Sequence, residues 1–212
     1  MKRKILITFI VLISIQVNCQ IRRGISPFRF NPSMYIGANV GPNIFVGEGV
    51  GQYLLKGSIG LSESIFLGYN FSEIIGARVM GSFNTMSWPQ QPVTSSNKSF
   101  STMKMSIEGL LNVTNIFNYY NLNRPIDIVV FGGLGLISRE KGLYQNEYIG
   151  PVLKGGGQID FRINYKFDIN ANFTANIVSD KFNEYVTGTN FDAFPEFKLG
   201  VTYHLRYKSN YR

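Results

Sequence analysis

The chain has 212 residues and a formal net charge of +8, and its length allows one ordinary domain but not two once a targeting segment is removed. No segment combines clustered Lys and Arg with base-stacking aromatic residues, which argues against a nucleic-acid partner. The single cysteine, Cys19, excludes a disulfide within the chain and a zinc site built from several thiolates.

Residues 1–20 have the three parts of a secretory signal peptide. They begin with a cationic stretch, continue with an apolar run over residues 5–15 and end in a polar exit. The apolar run is too short to span a bilayer as a helix. We therefore predict cleavage after Cys19 or Gln20. This leaves a formal net charge of +5 on the mature chain, because three cationic residues that precede the apolar run are removed from the net charge of +8.

Cys19 also raises the alternative of a lipoprotein anchor. A lipobox usually has Leu three residues before the cysteine and a small residue directly before it. Gln16 and Asn18 occupy those positions here. Removal of a signal peptide is therefore favoured over lipidation.

Beyond residue 20 the sequence predicts strands rather than spanning helices. No apolar stretch reaches the length of a helical span, and apolar and polar residues alternate in short segments instead. Each segment approaches the 9 to 11 residues or so that a tilted strand needs to cross the hydrocarbon. In chain order the predicted strands are residues 34–46, 59–71, 75–84, 103–113, 126–138, 153–165, 167–177 and 196–207.

The connections between these strands alternate in length. Short turns are predicted at 71–73 and 165–167, with a longer third turn at 116–124. Longer polar loops are predicted at 47–56, 87–99, 139–150 and 179–192. This alternation is typical of an outer-membrane barrel with short periplasmic turns and long outer loops, and it places both termini in the periplasm.

The predicted fold class is therefore all-β, a closed antiparallel up-and-down transmembrane β-barrel of about eight strands. The barrel is expected over residues 33–207, after a short periplasmic lead at 21–32 and before a tail at 208–212. Pro42 predicts a bend or bulge in the first strand. Glu63 falls on the oily face of the second strand, which predicts a bulge or a rim position there. An aromatic girdle is predicted from Tyr35, Tyr69, Trp88, Tyr165, Tyr203 and Tyr207.

The third turn and the strand after it resemble a known family. The stretch 111–117, then Tyr120 and Asn121, then Arg124, then the glycine-rich stretch 131–135 is similar to the small outer-membrane barrels of Bacteroidetes. The resemblance implies an eight-stranded OmpA-like or OmpX-like barrel. It also implies that the peptidoglycan-binding domain carried by many such proteins is absent, because only residues 208–212 follow the barrel.

The end of the predicted barrel resembles the signal that the barrel-insertion machinery reads. Its residues are Lys198, Gly200, Tyr203 and Leu205, in a polar, glycine, aromatic and hydrophobic order. Such a signal usually ends the chain, whereas residues 208–212 follow here. The resemblance implies that the insertion machinery is a partner during biogenesis.

Charged residues of both signs fall on the polar face of the predicted strands. They are Arg78, Lys104, Glu108, Lys154, Asp160, Arg162, Asp168, Glu196, Lys198 and Arg206, and Asp127 is a further candidate. The interior of an eight-stranded barrel is just wide enough for side chains, so opposite charges are expected to pair there. We predict a packed ionic plug, with a narrow ion or proton path as the alternative.

No catalytic, cofactor-binding or metal-binding residue is predicted. His204 is the only histidine, and a barrel lipid A deacylase would have Ser where Arg206 stands. The glycine runs 155–157 and 132–135 do not open a helix in a βαβ unit, so they are interpreted as sites of sheet curvature or close packing rather than as phosphate loops.

The sequence favours a non-enzymatic outer-membrane barrel that acts as a structural protein or as an accessory subunit of a larger membrane complex. Its expected surroundings are outer-membrane lipid, lipopolysaccharide and other outer-membrane proteins. The alternatives are a narrow pore, which the small number of strands disfavours, a lipid A-modifying enzyme and a soluble periplasmic β-sandwich.

Overall fold

The computed structural model is a closed barrel of eight antiparallel strands. The structure describes residues 30–44, 59–88, 98–121, 123–140, 147–179, 182 and 191–205. The strands are β1 (Ser33–Ile44), β2 (Ile59–Asn70), β3 (Ile75–Trp88), β4 (Lys98–Asn112), β5 (Ile126–Arg139), β6 (Tyr148–Arg162), β7 (Phe167–Ser179) and β8 (Phe191–His204). Each strand pairs with its neighbour in sequence, and β8 pairs with β1 to close the ring.

The strand register is regular around the whole ring. The partner-to-partner path from Ser33 on β1 runs through Asn70, Gly76, Leu110, Phe131, Gly156, Thr174 and Glu196 and returns to β1 at Asn43. The return point lies ten residues further along β1 than the start. Eight strands with this stagger tilt by about 40° from the barrel axis, within the range of closed barrels.

The two faces of the strands have opposite character. Residues that point outward are mostly large and apolar, and many are about half exposed or more, such as Ile65 (70%) and Met105 (67%). Alternate residues point into the lumen, where most are buried and many are polar or charged. A sheet with an apolar outside and a polar inside is the arrangement of a barrel whose outer wall faces lipid.

Two of the connections are turns of four residues, 71–74 and 163–166, at what we term the short-turn end of the barrel. In the first, Ser72 Oγ accepts hydrogen bonds from the backbone N–H groups of Ile74 and Ile75. In the second, Asn164 Oδ1 accepts from Lys166 and Phe167. These local bonds end the strands because they replace ladder bonds, and β6 therefore ends at Arg162 rather than at the predicted residue 165.

The third connection at this end contains a short helix, α1 (Val113–Phe117), that the sequence interpretation missed. Asn112 caps α1 by accepting a hydrogen bond from the Asn115 N–H at 2.9 Å. Asn115 Nδ2 in turn donates to the Glu73 carbonyl at 2.7 Å, and Arg124 Nη1 donates to Asn115 Oδ1 at 2.8 Å. Asn115 thus joins two neighbouring turns.

Neither Pro42, where a bend or bulge was predicted, nor Glu63, where a bulge or a rim position was predicted, lies at a bulge. The register between β1 and β2 is continuous from Ser33 to Ile44, and Glu63 pairs with Val40 on one side and Phe83 on the other without an extra residue. Pairing of β1 with β8 skips Gly41 and Pro42 but resumes in the same register at Asn43. The missing N–H of proline therefore leaves a gap in the ladder but no bulge.

Strands reach further toward the other end, which we term the long-loop end, than the sequence predicts. Residues 87, 88, 98 and 99 belong to β3 and β4 rather than to a loop, and Arg139 and Tyr148 end β5 and begin β6. Strand β8 begins at Phe191, five residues before the predicted start. Three predicted segments lie wholly or mostly outside the described residues. They are the signal peptide at 1–20, the periplasmic lead at 21–32 and the tail at 208–212. No helix among the described residues is long and apolar enough to cross a membrane.

Candidate functional site

A buried charge triad, Arg78, Glu108 and Lys154, crosses the middle of the lumen. Arg78 Nε donates to Glu108 Oε2 at 2.6 Å, and the Lys154 ammonium pairs with the other oxygen of the same carboxylate. Arg78 Nη1 also donates to Gln158 Oε1 at 2.6 Å. All three charged side chains are almost fully buried, so their pairing offsets a large desolvation cost.

A second triad lies nearer the long-loop end. Lys104 Nζ and Lys198 Nζ each approach Glu196, at 2.7 Å from Oε1 and from Oε2 respectively. Lys104 also donates to Asn176 Oδ1 at 2.8 Å. Each triad sets two cations around one carboxylate. The first joins β3, β4 and β6, and the second joins β4 to β8, with Asn176 adding a contact to β7.

A third cluster lies in the lumen at the short-turn end. Arg162 Nη2 is 3.2 Å from Asp127 Oδ2, and Arg162 Nε is 3.7 Å from Asp168 Oδ1. Arg124 Nη1 pairs with Asp127 Oδ1 at 3.1 Å, and His204 Nε2 lies 2.7 Å from Asp168 Oδ2. The Arg162 and His204 side chains are about a fifth exposed, so this cluster is more open to solvent than the two triads.

Asp160 contacts the rest of the lumenal network through the side-chain amide of Gln158 rather than through a cation. Its Oδ1 accepts a hydrogen bond from Gln158 Nε2 at 2.6 Å, and Gln158 is the same residue that accepts from Arg78. Within the described residues Asp160 forms no ion pair. Arg206, the remaining predicted lumenal charge, lies outside the described residues, whereas Asp127 belongs to the network.

Amide and hydroxyl side chains fill the space between the charge clusters. Asn172 Nδ2 donates to Asn170 Oδ1 at 2.6 Å, and Asn170 Nδ2 donates to Thr202 Oγ1 at 3.0 Å. On the other side of the lumen, Asn84 Nδ2 donates to Thr102 Oγ1 at 3.2 Å. These residues lie on strands whose inward positions alternate with apolar outward ones, as the sequence pattern indicates.

A cluster of buried apolar side chains, which we term the apolar cap, lies in the lumen at the long-loop end, beyond the charged layers. Phe182, from the connection between β7 and β8, is fully buried there, and Arg139 donates a hydrogen bond to its carbonyl oxygen. The cap consists of Met86, Phe100, Ile137, Val152, Val178, Phe182 and Phe194, with Tyr148 packed against them. The sequence interpretation did not predict this cap, because it assigned inward positions to polar residues.

Aromatic residues also pack inside the barrel around Arg78. The guanidinium carbon of Arg78 lies 4.6 Å from the ring centre of Phe131 and 5.3 Å from that of Phe66. Tyr35 points inward against Phe66 and is only 6% exposed, so its predicted place in an outer girdle is wrong. Gly68 explains this orientation, because a Cβ there would occupy the space of the Tyr35 ring.

The four residues of the predicted insertion signal divide between the two faces. Lys198 is buried in the second triad. Gly200 also faces inward, where a Cβ would collide with the Asn39 side chain. Tyr203 lies on the outside, 4.9 Å from the ring of Phe167, and Leu205 is exposed just beyond β8.

The outer wall has an aromatic rim at the short-turn end and a smooth stripe across its middle. Besides Tyr203 and Phe167, the rings of Tyr69 and Phe71 pack edge to face at 5.0 Å, which is the position where an interfacial girdle is expected. The stripe is a row of small residues paired across adjacent strands, Ala77, Gly109, Gly132, Gly155 and Ala175. The wall is therefore thinner along this row.

The described residues contain no group of three or more His, Cys, Asp or Glu side chains that could hold a metal ion. No family model matches the sequence. No curated protein matches it either.

Among the solved structures that share the barrel are two outer-membrane proteins. Neisserial surface protein A matches with a TM-score of 0.55 and 15% sequence identity, over 82% of this chain and 99% of the other. The outer-membrane protein OprG from Pseudomonas aeruginosa matches with a TM-score of 0.52 and 11% identity, over 85% of this chain and 98% of the other. The chain thus has the fold of small outer-membrane β-barrels.

Proposed function

We propose that the chain is an integral outer-membrane protein without enzymatic activity, which acts as a structural barrel or as an accessory subunit of a larger membrane complex. The observation that supports this most is the filled lumen inside an apolar wall. Paired charges occupy the interior. Many outward apolar side chains have about half of their surface exposed. The surfaces left for function are then the loops and the outer wall.

The layers inside the lumen argue against a water-filled pore. An ion on the barrel axis would meet the apolar cap around Phe182 and then two triads whose cations are already held by Glu196 and Glu108. Pores with aqueous channels have about sixteen strands or more. We therefore expect no stable conductance.

The surroundings of His204 favour a structural role over catalysis. Its ring nitrogen pairs with Asp168 inside the lumen at the short-turn end, away from the outward face where a lipid substrate would lie. The pair also joins β8 to β7, next to the closure of the barrel. We propose that His204 stabilises this corner of the barrel.

The proposed location and the closed lumen are tested together. Cell fractionation is expected to recover the protein with outer membranes, and unheated protein is expected to migrate differently from heated protein in a detergent gel. Planar bilayers containing the purified barrel are expected to show no stable conductance. Recovery in the soluble periplasmic fraction would reject the membrane barrel, whereas a stable conductance would reject the plug and favour the pore.

The enzymatic alternative has its own measurement. Mass spectrometry of lipid A from cells with and without the protein is expected to show the same acyl chains. A change in acylation that is abolished by His204→Ala would overturn the proposal. The variant Asn164→Ala, in the nearby exposed turn, serves as a control for a general loss of the protein.

A further inference from the structure

Glu63 is a charged residue on an otherwise apolar outer wall. It lies on β2 with its side chain exposed, directly between Val40 on β1 and Phe83 on β3. Its neighbours along the outward face of β2 are Leu61 and Ile65, both exposed. Among the strand side chains that the structure describes, Glu63 is the one charged group that points outward.

The position of Glu63 along β2 places it inside the hydrocarbon band of the proposed membrane barrel. Tyr69, in the aromatic rim at the short-turn end, is six residues away on the same face of the strand. With a tilt of about 40°, six strand residues rise by about 15 Å along the membrane normal. Because the apolar band of an outer-membrane barrel is about 25 Å tall, Glu63 lies well away from either interface.

The described part of the chain offers Glu63 no partner. None of the described residues forms an ion pair or hydrogen bond with its carboxylate, and none of the described outward strand positions carries Lys or Arg. An ionisable side chain that faces lipid destabilises a barrel, and such residues within a membrane usually mark functional contacts. A partner outside the chain would offset this cost.

Small residues leave room beside the carboxylate. Gly81 on β3 is a diagonal outward neighbour of Glu63, and a Cβ placed on it would meet nothing within 4 Å. Ala38 is the corresponding small neighbour on β1. The wall therefore has a shallow notch on both sides of Glu63, in which the aliphatic stem of a long basic side chain fits.

We propose that the Glu63 patch, formed by Ala38, Val40, Glu63, Gly81 and Phe83, docks a second membrane-embedded protein that presents a Lys or Arg to Glu63. The inference rests on the proposed function, because it needs the outer wall to be in the membrane. A cation is the complement of the carboxylate, and the depth of Glu63 separates it from lipid headgroup amines. A second copy of this chain offers no cation on its described outward strand faces.

Site-specific photo-cross-linking in cells that make the full chain tests this proposal. A benzophenone amino acid replaces Phe83, next to Glu63, or Phe173, an outward residue on β7 across the barrel, as the matched control. We expect the Phe83 position to form an adduct with a membrane protein at about tenfold higher yield than the control. Glu63→Leu is expected to abolish the adduct, whereas Glu63→Asp is expected to retain it. In the captured protein, replacing one Lys or Arg of the membrane span with Leu is also expected to abolish the adduct.

Three results would overturn the proposal: adducts with lipid or with a second copy only, an adduct that survives Glu63→Leu, or equal yields at Phe83 and Phe173. Unfolding of the purified barrel in lipid vesicles controls for misfolding. Without a partner, Glu63→Leu is expected to keep or raise the unfolding midpoint, and failure of this variant to fold would instead assign Glu63 an internal structural role. Correct fractionation and heat-modifiable migration without an adduct would reject the docking site but leave the proposed function intact.

Discussion

At the scale of single residues, Glu108 and Glu196 each hold two buried cations. The Glu108 carboxylate bonds Arg78 with one oxygen and Lys154 with the other, and Ser106 Oγ donates to it at 3.2 Å. Replacing a whole buried triad with apolar groups of the same volume is often neutral or stabilising. Removing the anion alone leaves two buried like charges without their counter-ion.

We expect Glu108→Gln to lower the free energy of unfolding by about 3 to 5 kcal/mol, the range for breaking a buried ion pair. Denaturant unfolding in lipid vesicles, followed by the fluorescence of the single tryptophan, measures this change. Glu147→Gln, at an exposed position before β6, is expected to change stability by less than about 0.5 kcal/mol. Equal effects of the two substitutions would show that the triad does not stabilise the barrel.

At the scale of the strand, glycines on β5 and β6 serve two different purposes according to the face they occupy. Gly156 faces inward, and a Cβ there would collide with the carbonyl oxygen of Phe173 on β7. Gly155, its neighbour in sequence, faces outward, and the atom nearest to an added Cβ is the Phe131 oxygen at 3.7 Å. The inward glycine permits close approach of backbones, whereas the outward one belongs to the smooth stripe on the wall.

This difference predicts opposite effects of the same substitution at adjacent positions. Gly156→Ala is expected to cost about 1 to 3 kcal/mol, because backbone must move to relieve the collision. Gly155→Ala is expected to be neutral or to stabilise by up to about 1 kcal/mol, because it restricts the unfolded chain without a clash. Unfolding midpoints of the two purified variants, measured in the same vesicles, test this prediction. A larger loss of stability for Gly155→Ala than for Gly156→Ala would contradict the assigned faces.

At the scale of the whole molecule, closure depends on the pairing of β1 with β8. Ala38 and Val201 are Cα partners across this seam, and both point outward. Directly opposite residues of an antiparallel pair have Cα atoms about 4.5 to 5.5 Å apart, within the range that a disulfide spans. The first and last strands of the chain are thus close enough to be joined covalently in one register.

A disulfide is therefore expected to form in the double variant Ala38→Cys/Val201→Cys, in a chain that also carries Cys19→Ser. Non-reducing gels of heated protein are expected to show a compact cyclic species. The control Ala38→Cys/Phe197→Cys, with the second cysteine four residues before Val201 on β8, is expected to remain reduced. Cross-linking of the control alone would indicate a different register and hence a different stagger of the barrel.

The sequence predicted the fold well because lipid and lumen impose opposite requirements on alternate residues. That pattern does not reveal where the inside becomes apolar. Val129, Phe131 and Ile137 on β5 all face inward, so this strand is apolar on both faces and its period is weak. The cap around Phe182 was missed for the same reason.

The lumenal charges were predicted as a set but not as pairs. Alternation assigns Arg78, Glu108 and Lys154 to one face, whereas their contacts depend on a stagger that no single strand encodes. Helix α1 did have a local signal, because Asn112 precedes the helix and its side chain can cap it. The regular register at Glu63 was not predicted, because a carboxylate on an apolar face usually indicates an irregular strand.

The charge triads also have a consequence for the order of folding. Lys104 and Glu196 are 92 residues apart in sequence, and Arg78 and Gln158 are 80 apart. Neither contact can form until most of the chain has been synthesised and its strands brought together, and contacts between distant residues slow folding. A partly assembled barrel would expose unpaired Lys and Arg to its surroundings, so insertion is expected to be concerted and strongly dependent on a catalyst.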